Sequence, residues 1–355
     1  MRSKGWLVVL FLLFWTLPMT ARADDGLQYE LSSDGESVAV TGYTGNGPEV
    51  TIPDTMWNRP VTVIRKGAFT SNEKIQEIHF GKNVKIIEEY SCNRMKNLAS
   101  LRIPGNVIKI GMSAFCECRN LRELAFEEGM SVLTLVCYSF TDCPKLREIN
   151  FGTRPIKGVS RDGIMGGTGN LFSGSAISEI TIPATVDISE MFSALEGCDY
   201  LRKVTIDAKS IKSYTFSNCG SLEEVILRGT VTIEKSVFSR CTSLTAVTFP
   251  DTLQTIGEGA FDGCAALARV ELPESVEEIG GSAFRGCTAF KEFTFPAKVK
   301  AAQGRCLEGC TGLETVTFPE GLESIGARAL SGCTALKSIR IPAQVKEIAE
   351  RAFEG

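Results

Sequence analysis

The chain has 355 residues, of which 43% are hydrophobic and 23% are charged, as in an ordinary globular protein. Its formal net charge is −4, and this acidic balance argues against a nucleic-acid-binding protein, which needs a basic surface. The 34 glycines and the 8% aromatic content are typical of a turn-rich β protein.

The N-terminal residues have the pattern of a secretory signal peptide. Two basic residues precede an apolar run at 6–17, and Ala-Arg-Ala at 21–23 supplies a small-x-small cleavage pattern. The apolar run is too short for a membrane anchor, because a spanning helix needs about 20 residues. We therefore predict a signal peptide over 1–23, a mature chain that begins at Asp24, and no transmembrane segment.

The next segment, residues 24–60, has β character but lacks the repeat that follows it. Residues 29–31 and 37–40 flank the sequence SSDG, which predicts a β-hairpin, and a first inner strand is expected at 50–52. A stack of repeats needs a cap, because its first unit would otherwise expose core side chains and an unpaired strand edge. We predict an N-terminal β cap over 24–60.

Repeats of variable length follow, and repeats occupy the whole of 61–355. In each of them apolar residues two apart place their side chains on one face of a strand. The inner strands of the variable repeats are predicted to centre on Ile78, Leu101, Leu124, Ile149, Ile180, Val204 and Val225.

The largest departure from the period is a glycine-rich insertion at 152–174. Insertions in a repeat array lie on one face, and loops carry function more often than the scaffold does. We therefore predict that Arg154, Lys157 and Arg161 contact a partner. The Gly-Gly-Thr-Gly sequence at 166–169 lacks the following Lys-Ser/Thr and the helix start of a phosphate-binding loop, so we reject that interpretation.

From residue 241 onwards the period is fixed. The last corner of each repeat carries a cysteine at intervals of 23 residues: Cys241, Cys264, Cys287, Cys310 and Cys333. A proline ends each inner strand, because it has no backbone donor, and a phenylalanine usually fills the interior. Such short units cannot close a core alone and must stack on their neighbours. The sequence predicts a β-rich solenoid of about 13 coils with a parallel inner sheet and short return segments.

The repeat LARVELPESVEEIGGSAFRGCTA at 267–289 resembles the 23-residue leucine-rich repeat of BspA-like bacterial surface proteins, which also occurs in treponemal leucine-rich repeat proteins. The resemblance covers approximately residues 40–355. It implies a leucine-rich-repeat solenoid that acts as an adhesin or interaction protein, and no catalytic residues accompany the motif.

Nine of the 13 cysteines stand at the corner position of a repeat: Cys118, Cys143, Cys198, Cys219, Cys241, Cys264, Cys287, Cys310 and Cys333. Successive coils lie about 4.8 Å apart, but parallel Cβ vectors point the same way, so we predict buried reduced thiols rather than a ladder of disulfides. Cys92, which replaces a recurring phenylalanine, and Cys116 form the one pair to test for a bridge.

Nothing in the sequence predicts an enzyme. The only histidine, His79, lies beside Glu77 at an outward position, and no motif sets a serine or cysteine nucleophile against it. The carboxylates recur with the coil and do not converge. Paired Cys-x-x-Cys zinc ligands are absent from the sequence. We predict no catalytic residues, no metal and no cofactor.

The outward positions of the inner strands offer charged columns as a candidate partner-binding face: Arg122, Glu123, Arg147, Glu148, Arg202, Lys203, Glu223, Lys291 and Lys337. Mixed charge keeps an exposed sheet soluble, and the inner surface of a solenoid commonly binds proteins, so both interpretations stay open.

The functional prediction is an exported, non-enzymatic protein, secreted or at the cell surface with the periplasm also open. Its predicted partner is an extracellular protein, either a host matrix or serum protein such as fibronectin or fibrinogen, or another bacterial surface protein. The alternative is a periplasmic or surface binding protein for a small or lipid-like ligand, which would need an apolar pocket near the cap or at 152–174. Because the last repeat stops before its cysteine, we also expect either a longer array or self-association that covers Ile348 and Phe353.

Overall fold

The computed structural model describes residues 21–22, 26–159, 171–187, 195 and 198–355, and in these ranges it contains strands and turns but no helix. The chain winds into a β-solenoid of about 13 turns, which confirms the predicted fold class. Most of the predicted signal peptide lies outside the described residues. Its residues Ala21–Arg22 pair antiparallel with Leu27–Leu31.

One column of parallel strands, the inner ladder, carries the strands that the repeat pattern predicts. Its strands are Glu49–Thr51, Glu77–His79, Ser100–Ile103, Glu123–Phe126, Glu148–Asn150, Glu179–Ile182, Lys203–Ile206, Glu224–Leu227, Ala246–Thr248, Glu292–Thr294 and Thr315–Thr317. All the predicted strand centres lie within these strands. The coils around Val270 and Ile339 continue the stack without strand pairing.

A second column, the return ladder, was predicted only as short return segments. Its strands are Arg59–Ile64, Ile86–Ile87, Lys109–Ile110, Leu133–Val136, Ile156–Val159, Val186–Asp187, Ser210–Ile211, Thr232–Ile233, Thr255–Ile256, Glu278–Ile279, Ala301–Ala302, Ser324–Ile325 and Glu347–Ile348. Most of these strands have only two residues, which is too short for a periodic pattern in the sequence. Neighbouring strands of the ladder pair in parallel.

The turn between the two ladders explains the recurring proline. In the regular coils the backbone N–H three residues after the proline donates to the proline carbonyl, as from Leu253 to Pro250 at 3.0 Å and from Val276 to Pro273 at 3.1 Å. The proline ring ends the inner strand, because it offers no N–H, while its carbonyl closes the turn.

The interior holds a stack of phenylalanines. The rings of Phe238, Phe261 and Phe284 follow one another at centroid distances of 5.3 Å, and the planes of the last two differ by only 2°. Apolar side chains from both ladders surround this stack in one continuous cluster. The core is therefore shared between neighbouring coils, as expected of a repeat that cannot bury its own apolar face.

The corner cysteines have a role that the sequence did not reveal. In eight of the nine, the thiol donates to the backbone carbonyl of the interior residue one coil earlier, at 3.0 to 3.4 Å; these are Cys118, Cys143, Cys219, Cys241, Cys264, Cys287, Cys310 and Cys333. A serine hydroxyl would donate as well, but the thiol is also apolar enough for a dry corner. The corner thus joins adjacent coils by side chain as well as backbone.

None of the 13 cysteines, all of which lie in the described ranges, forms a disulfide, and this includes Cys92 and Cys116. Burial raises the pKa of the Cys92, Cys264 and Cys306 thiols to about 12. Cys116 is the exception in position, because it is only partly buried, and desolvation still raises its pKa to about 11. The column of buried thiols agrees with the predicted geometry.

The N-terminal segment adds an antiparallel hairpin to the first strand of the return ladder. Leu27–Leu31 and Val38–Tyr43 form an antiparallel hairpin, and the second strand pairs in parallel with Arg59–Ile64. A short strand, Thr55–Met56, folds back on Arg59–Ile64 through Trp57 and Asn58, which both have positive φ. Trp57 packs edge-on against Tyr29 at 6.0 Å, so it is a packing residue.

Candidate interaction groove on the inner ladder

The inner ladder is interrupted beside the insertion. Strands Ser100–Ile103, Glu123–Phe126 and Glu148–Asn150 form one sheet, and Glu179–Ile182 begins another. The centres Ile149 and Ile180 lie 31 residues apart instead of 23, and the strands that carry them are not paired. The interruption leaves Ile149 half-buried. The inner sheet is therefore split at the insertion, as it also is between Glu77–His79 and Ser100–Ile103, where the interval is the regular 23 residues.

An open groove of about 570 Å³ occupies this interruption, and we call it the ladder groove. Its walls come from the two sheets that meet there: Arg102, Glu123, Leu124, Ala125, Arg147, Glu148, Ile149, Asn150, Ser178, Glu179, Ile180, Thr181, Lys203 and Thr205. The apolar members are mainly strand residues whose side chains face the core, and the charged members stand on the outward positions. The groove offers a mixed surface for contact, in which apolar strand residues lie between charged side chains.

Two stacks of like charges border the ladder groove. Glu123 and Glu148 are register partners on adjacent strands, and the Arg147 N–H donates to the Arg122 carbonyl at 3.0 Å, which places the two arginines one coil apart. Within the described ranges, no ion pair within 4.0 Å neutralises any of these four side chains. Like charges in register repel, so this arrangement does not serve stability.

Farther along the same face the charges are paired. Arg202 forms an ion pair with Glu223, and Lys203 forms one with Glu224 at 2.7 Å, each across adjacent strands. Lys291 lies 3.4 Å from Glu314. Of the predicted face, therefore, Glu123, Arg147, Glu148 and Lys203 meet at the ladder groove and Arg122 lies beside it, whereas Arg202, Glu223, Lys291 and the exposed Lys337 do not line it.

The predicted surface role of Arg154 is wrong. Its side chain is 1% exposed, and its guanidinium donates to the carbonyls of Pro104, Val107 and Ser131 at 3.0, 2.6 and 3.3 Å. Arg154 therefore joins three successive coils from inside, and burial lowers its pKa. The sequence misled because an arginine beside glycines is typical of an exposed loop, whereas here the backbone carbonyls of two long turns converge on it.

The other two predicted loop residues have different positions. Lys157 lies in the return strand Ile156–Val159 and is half-buried, so it belongs to the scaffold rather than to a free loop. Arg161 lies outside the described residues. Within the described part of the insertion, therefore, none of the predicted loop residues lines the ladder groove.

Sequence reasoning missed five charged or polar residues that line the ladder groove: Arg102, Asn150, Ser178, Glu179 and Thr181. Arg102 follows the inward Leu101 on its strand, so it could have been found by extending the outward columns by one position. Glu179 and Ser178 depended on knowing that the 31-residue interval would split the sheet.

His79 is exposed, and Glu77 lies 3.4 Å from its Nε2. No group of three or more histidine, cysteine, aspartate or glutamate side chains in the described ranges could hold a metal ion. Likewise, those ranges contain no helix long and apolar enough to cross a membrane.

Comparison with known proteins agrees with the repeat and the solenoid. The model of the BspA type leucine rich repeat region matches residues 44–160, 168–245 and 231–355 in 6 copies. The chain belongs to this family. No curated protein matches the chain.

Solved structures that match the chain come from several bacteria. A leucine-rich repeat protein from Bacteroides ovatus is 22% identical over 91% of this chain and 94% of its own, with a TM-score of 0.47. A leucine rich cell surface protein from Faecalibacterium prausnitzii is 22% identical over 85% and 95%, with a TM-score of 0.37. The pneumococcal vaccine antigen PcpA is 16% identical over 95% of each chain, with a TM-score of 0.37.

Proposed function

We propose that this BspA-type protein is an exported, non-enzymatic interaction protein that adheres to an extracellular protein through the ladder groove. One observation carries the proposal: two like-charge stacks, Arg122 with Arg147 and Glu123 with Glu148, stand beside an open groove without ion-pair partners in the described ranges. A partner with complementary charges would remove both repulsions. Binding would therefore gain electrostatic free energy that the folded chain does not gain alone.

The character of the groove supports a protein partner over the small or lipid-like ligand that the sequence left open. A lipid-like ligand needs an enclosed apolar pocket, whereas the ladder groove is open and carries arginines, glutamates and a lysine beside its apolar residues. A specific protein interface needs about 800 Å² on each partner, and the inner face extends along both sides of the groove. Secretion or surface exposure is part of the proposal and is supported by the leader pattern at 1–23.

Binding of the purified mature chain to immobilised fibronectin and fibrinogen, measured by surface plasmon resonance at several salt concentrations, tests the proposal. We expect Arg122→Glu/Arg147→Glu and Glu123→Lys/Glu148→Lys each to weaken binding by about tenfold or more and to change its salt dependence. The matched control, Lys291→Glu/Lys337→Glu, reverses two charges on the same face away from the groove and should bind as the wild type does.

If the groove variants and the control bind alike, the groove is not the interface. If the mature chain binds no matrix, serum or bacterial surface protein at micromolar concentration but retains a small molecule through purification, the ligand-carrier alternative replaces adhesion.

A further inference from the structure

Arg154 lies where the chain passes from one wall of the ladder groove to the other. The inner strands on the two sides of the groove, Glu148–Asn150 and Glu179–Ile182, are not paired with each other, so they cannot set the distance between the walls. The return ladder is continuous here, because its strand Ile156–Val159 pairs with the return strands of the coils before and after it. The spacing across the groove therefore depends on the start of this return strand, which follows directly after Arg154 and Pro155.

The backbone next to Arg154 joins the coils on both sides of the groove. The Leu133 N–H, one coil earlier, donates to the Pro155 carbonyl at 2.9 Å. The Ile156 N–H donates to the Thr185 carbonyl, one coil later, at 3.0 Å. Residues 154–156 are thus a short link between the two halves of the inner face, and a shift of this link would change the width of the groove.

Two coils on one wall of the groove lack the hydrogen bond that closes the turn in the regular coils. In the coil before them, the Val107 N–H donates to the Pro104 carbonyl at 3.1 Å and closes the turn after the inner strand. The described turns at 127–132 and 152–155 have no proline at the end of the inner strand and no backbone bond of this kind. These turns therefore need another source of support.

The Arg154 guanidinium gives that support from inside the stack. Its N–H groups donate to the carbonyls of Pro104, Val107 and Ser131 at 3.0, 2.6 and 3.3 Å. One side chain thereby holds the turns of two preceding coils to its own turn. A guanidinium suits this position, because its donors form a rigid planar fork that reaches several acceptors at once.

Stability alone is a poor explanation for Arg154. The side chain is 1% exposed, its three acceptors are neutral carbonyls, and its Nε has no hydrogen-bond partner in the described part of the chain. Burial of a charge without a counter-ion is costly, and an apolar side chain of similar size would avoid that cost. The geometry that the guanidinium fixes is the remaining reason for a cation here.

We propose that Arg154 is the positioning residue of the ladder groove. By tying the link at 154–156 to two preceding coils, it fixes the distance between the walls and thus the place at which Arg147 and Glu148 meet a partner. This role rests on the proposed function, since it matters for binding only if the groove is the interface. The contacts themselves can be tested without a partner.

Hydrogen–deuterium exchange of the mature chain, followed by mass spectrometry, tests the proposal with Arg154→Met and Arg154→Lys. We expect Arg154→Met to speed exchange by about tenfold or more in peptides that contain the Leu133 and Ile156 amides, while peptides from the coils after residue 241 keep their wild-type rates. Arg154→Lys keeps the charge but loses the fork, so it should also exchange faster than the wild type. It carries the test alone if Arg154→Met does not fold.

The matched control is Arg285→Met, which removes a guanidinium that donates to Asp262 among the regular coils. It should leave exchange at the groove unchanged. Wild-type exchange at the groove in Arg154→Met overturns the proposal. So does an equal acceleration in the coils after residue 241, because Arg154 would then support overall stability rather than the groove. Wild-type exchange in Arg154→Lys also overturns it, because charge would then suffice without the three-way contact. Failure of fibronectin and fibrinogen binding would leave this measurement as it is, so the two proposals can fail separately.

Discussion

Two regions of the inner face differ in how their charged side chains are paired. At the coils of Arg202 and Lys203, each cation meets a glutamate on the next strand. At the coils of Arg122 and Arg147, like charges stack and the described residues contain no ion-pair partner for them. The interior beneath each region is built in the same way, from stacked phenylalanines and buried thiols. The two regions therefore have a similar interior but differ at the surface, where one combines a split sheet with unpaired like charges and the other has ion pairs.

The largest expected effect comes from what the two regions share, the buried thiols. Beneath the groove, a hydrogen bond with the Cys118 thiol, together with burial, raises the pKa of Cys143 well above its ordinary value of 9.0. Beneath the paired region, burial raises the pKa of Cys241 in the same direction. Elsewhere in the interior, burial raises the pKa of the corner residue Cys264 and of Cys306, which lies outside the corner column, to about 12.

The direction of the pH dependence of stability follows from the number of protons that the folded and unfolded chains bind. Between pH 9 and about 12 the unfolded chain releases thiol protons that the folded chain keeps, so stability is fully present below pH 9 and falls above it. Each buried thiol should reduce the free energy of unfolding by about 1.4 kcal/mol per pH unit in that window. Urea unfolding with reductant at pH 8, 9 and 10, followed by circular dichroism, measures the slope. The variant Cys264→Ala/Cys306→Ala should have a shallower slope, and a pH-independent free energy would contradict the buried column.

The next prediction compares the contribution of the phenylalanine core to stability beneath the two regions. Phe140, below the groove, stacks with Phe115 at 5.4 Å, and Phe238, near the paired region, stacks with Phe216 at 5.5 Å. Both rings are fully buried. We expect Phe140→Ala and Phe238→Ala each to lower the free energy of unfolding by about 3–5 kcal/mol, through lost burial and the cavity left behind.

Urea unfolding of the two phenylalanine variants at neutral pH measures this comparison. Costs that agree to within about 1 kcal/mol support a uniform scaffold. A much smaller cost at Phe140 would mean that the split in the inner ladder has already loosened the core beneath the groove, and the two regions would then differ in packing as well as in charge.

More of the fold than of the site could be predicted from the sequence, for physical reasons. The strand at Leu124 was predictable because apolar side chains must face the core in every coil, so the pattern repeats with the structure. The return strand Ile86–Ile87 was not, because two residues carry almost no periodic signal. Arg154 was misplaced because its acceptors are backbone carbonyls, which leave no trace in side-chain composition. The groove depended on a split between strands 31 residues apart, which a three-dimensional register decides.

The smallest expected effect is the most direct test of the two regions, because it changes only surface charge. Arg202→Gln removes a cation from its ion pair with Glu223, and Arg122→Gln removes one from a like-charge stack. Exposed ion pairs contribute about 0–1 kcal/mol, so Arg202→Gln should lower the free energy of unfolding by at most that amount. Arg122→Gln should leave the free energy of unfolding unchanged or raise it by a few tenths of a kcal/mol, since it removes a repulsion. Urea unfolding at low and high salt measures both, and salt should shrink both differences because it screens exposed charges. A larger loss of stability in Arg122→Gln than in Arg202→Gln would mean that the arginine stack contributes to folding. It would contradict the proposal that these arginines serve binding.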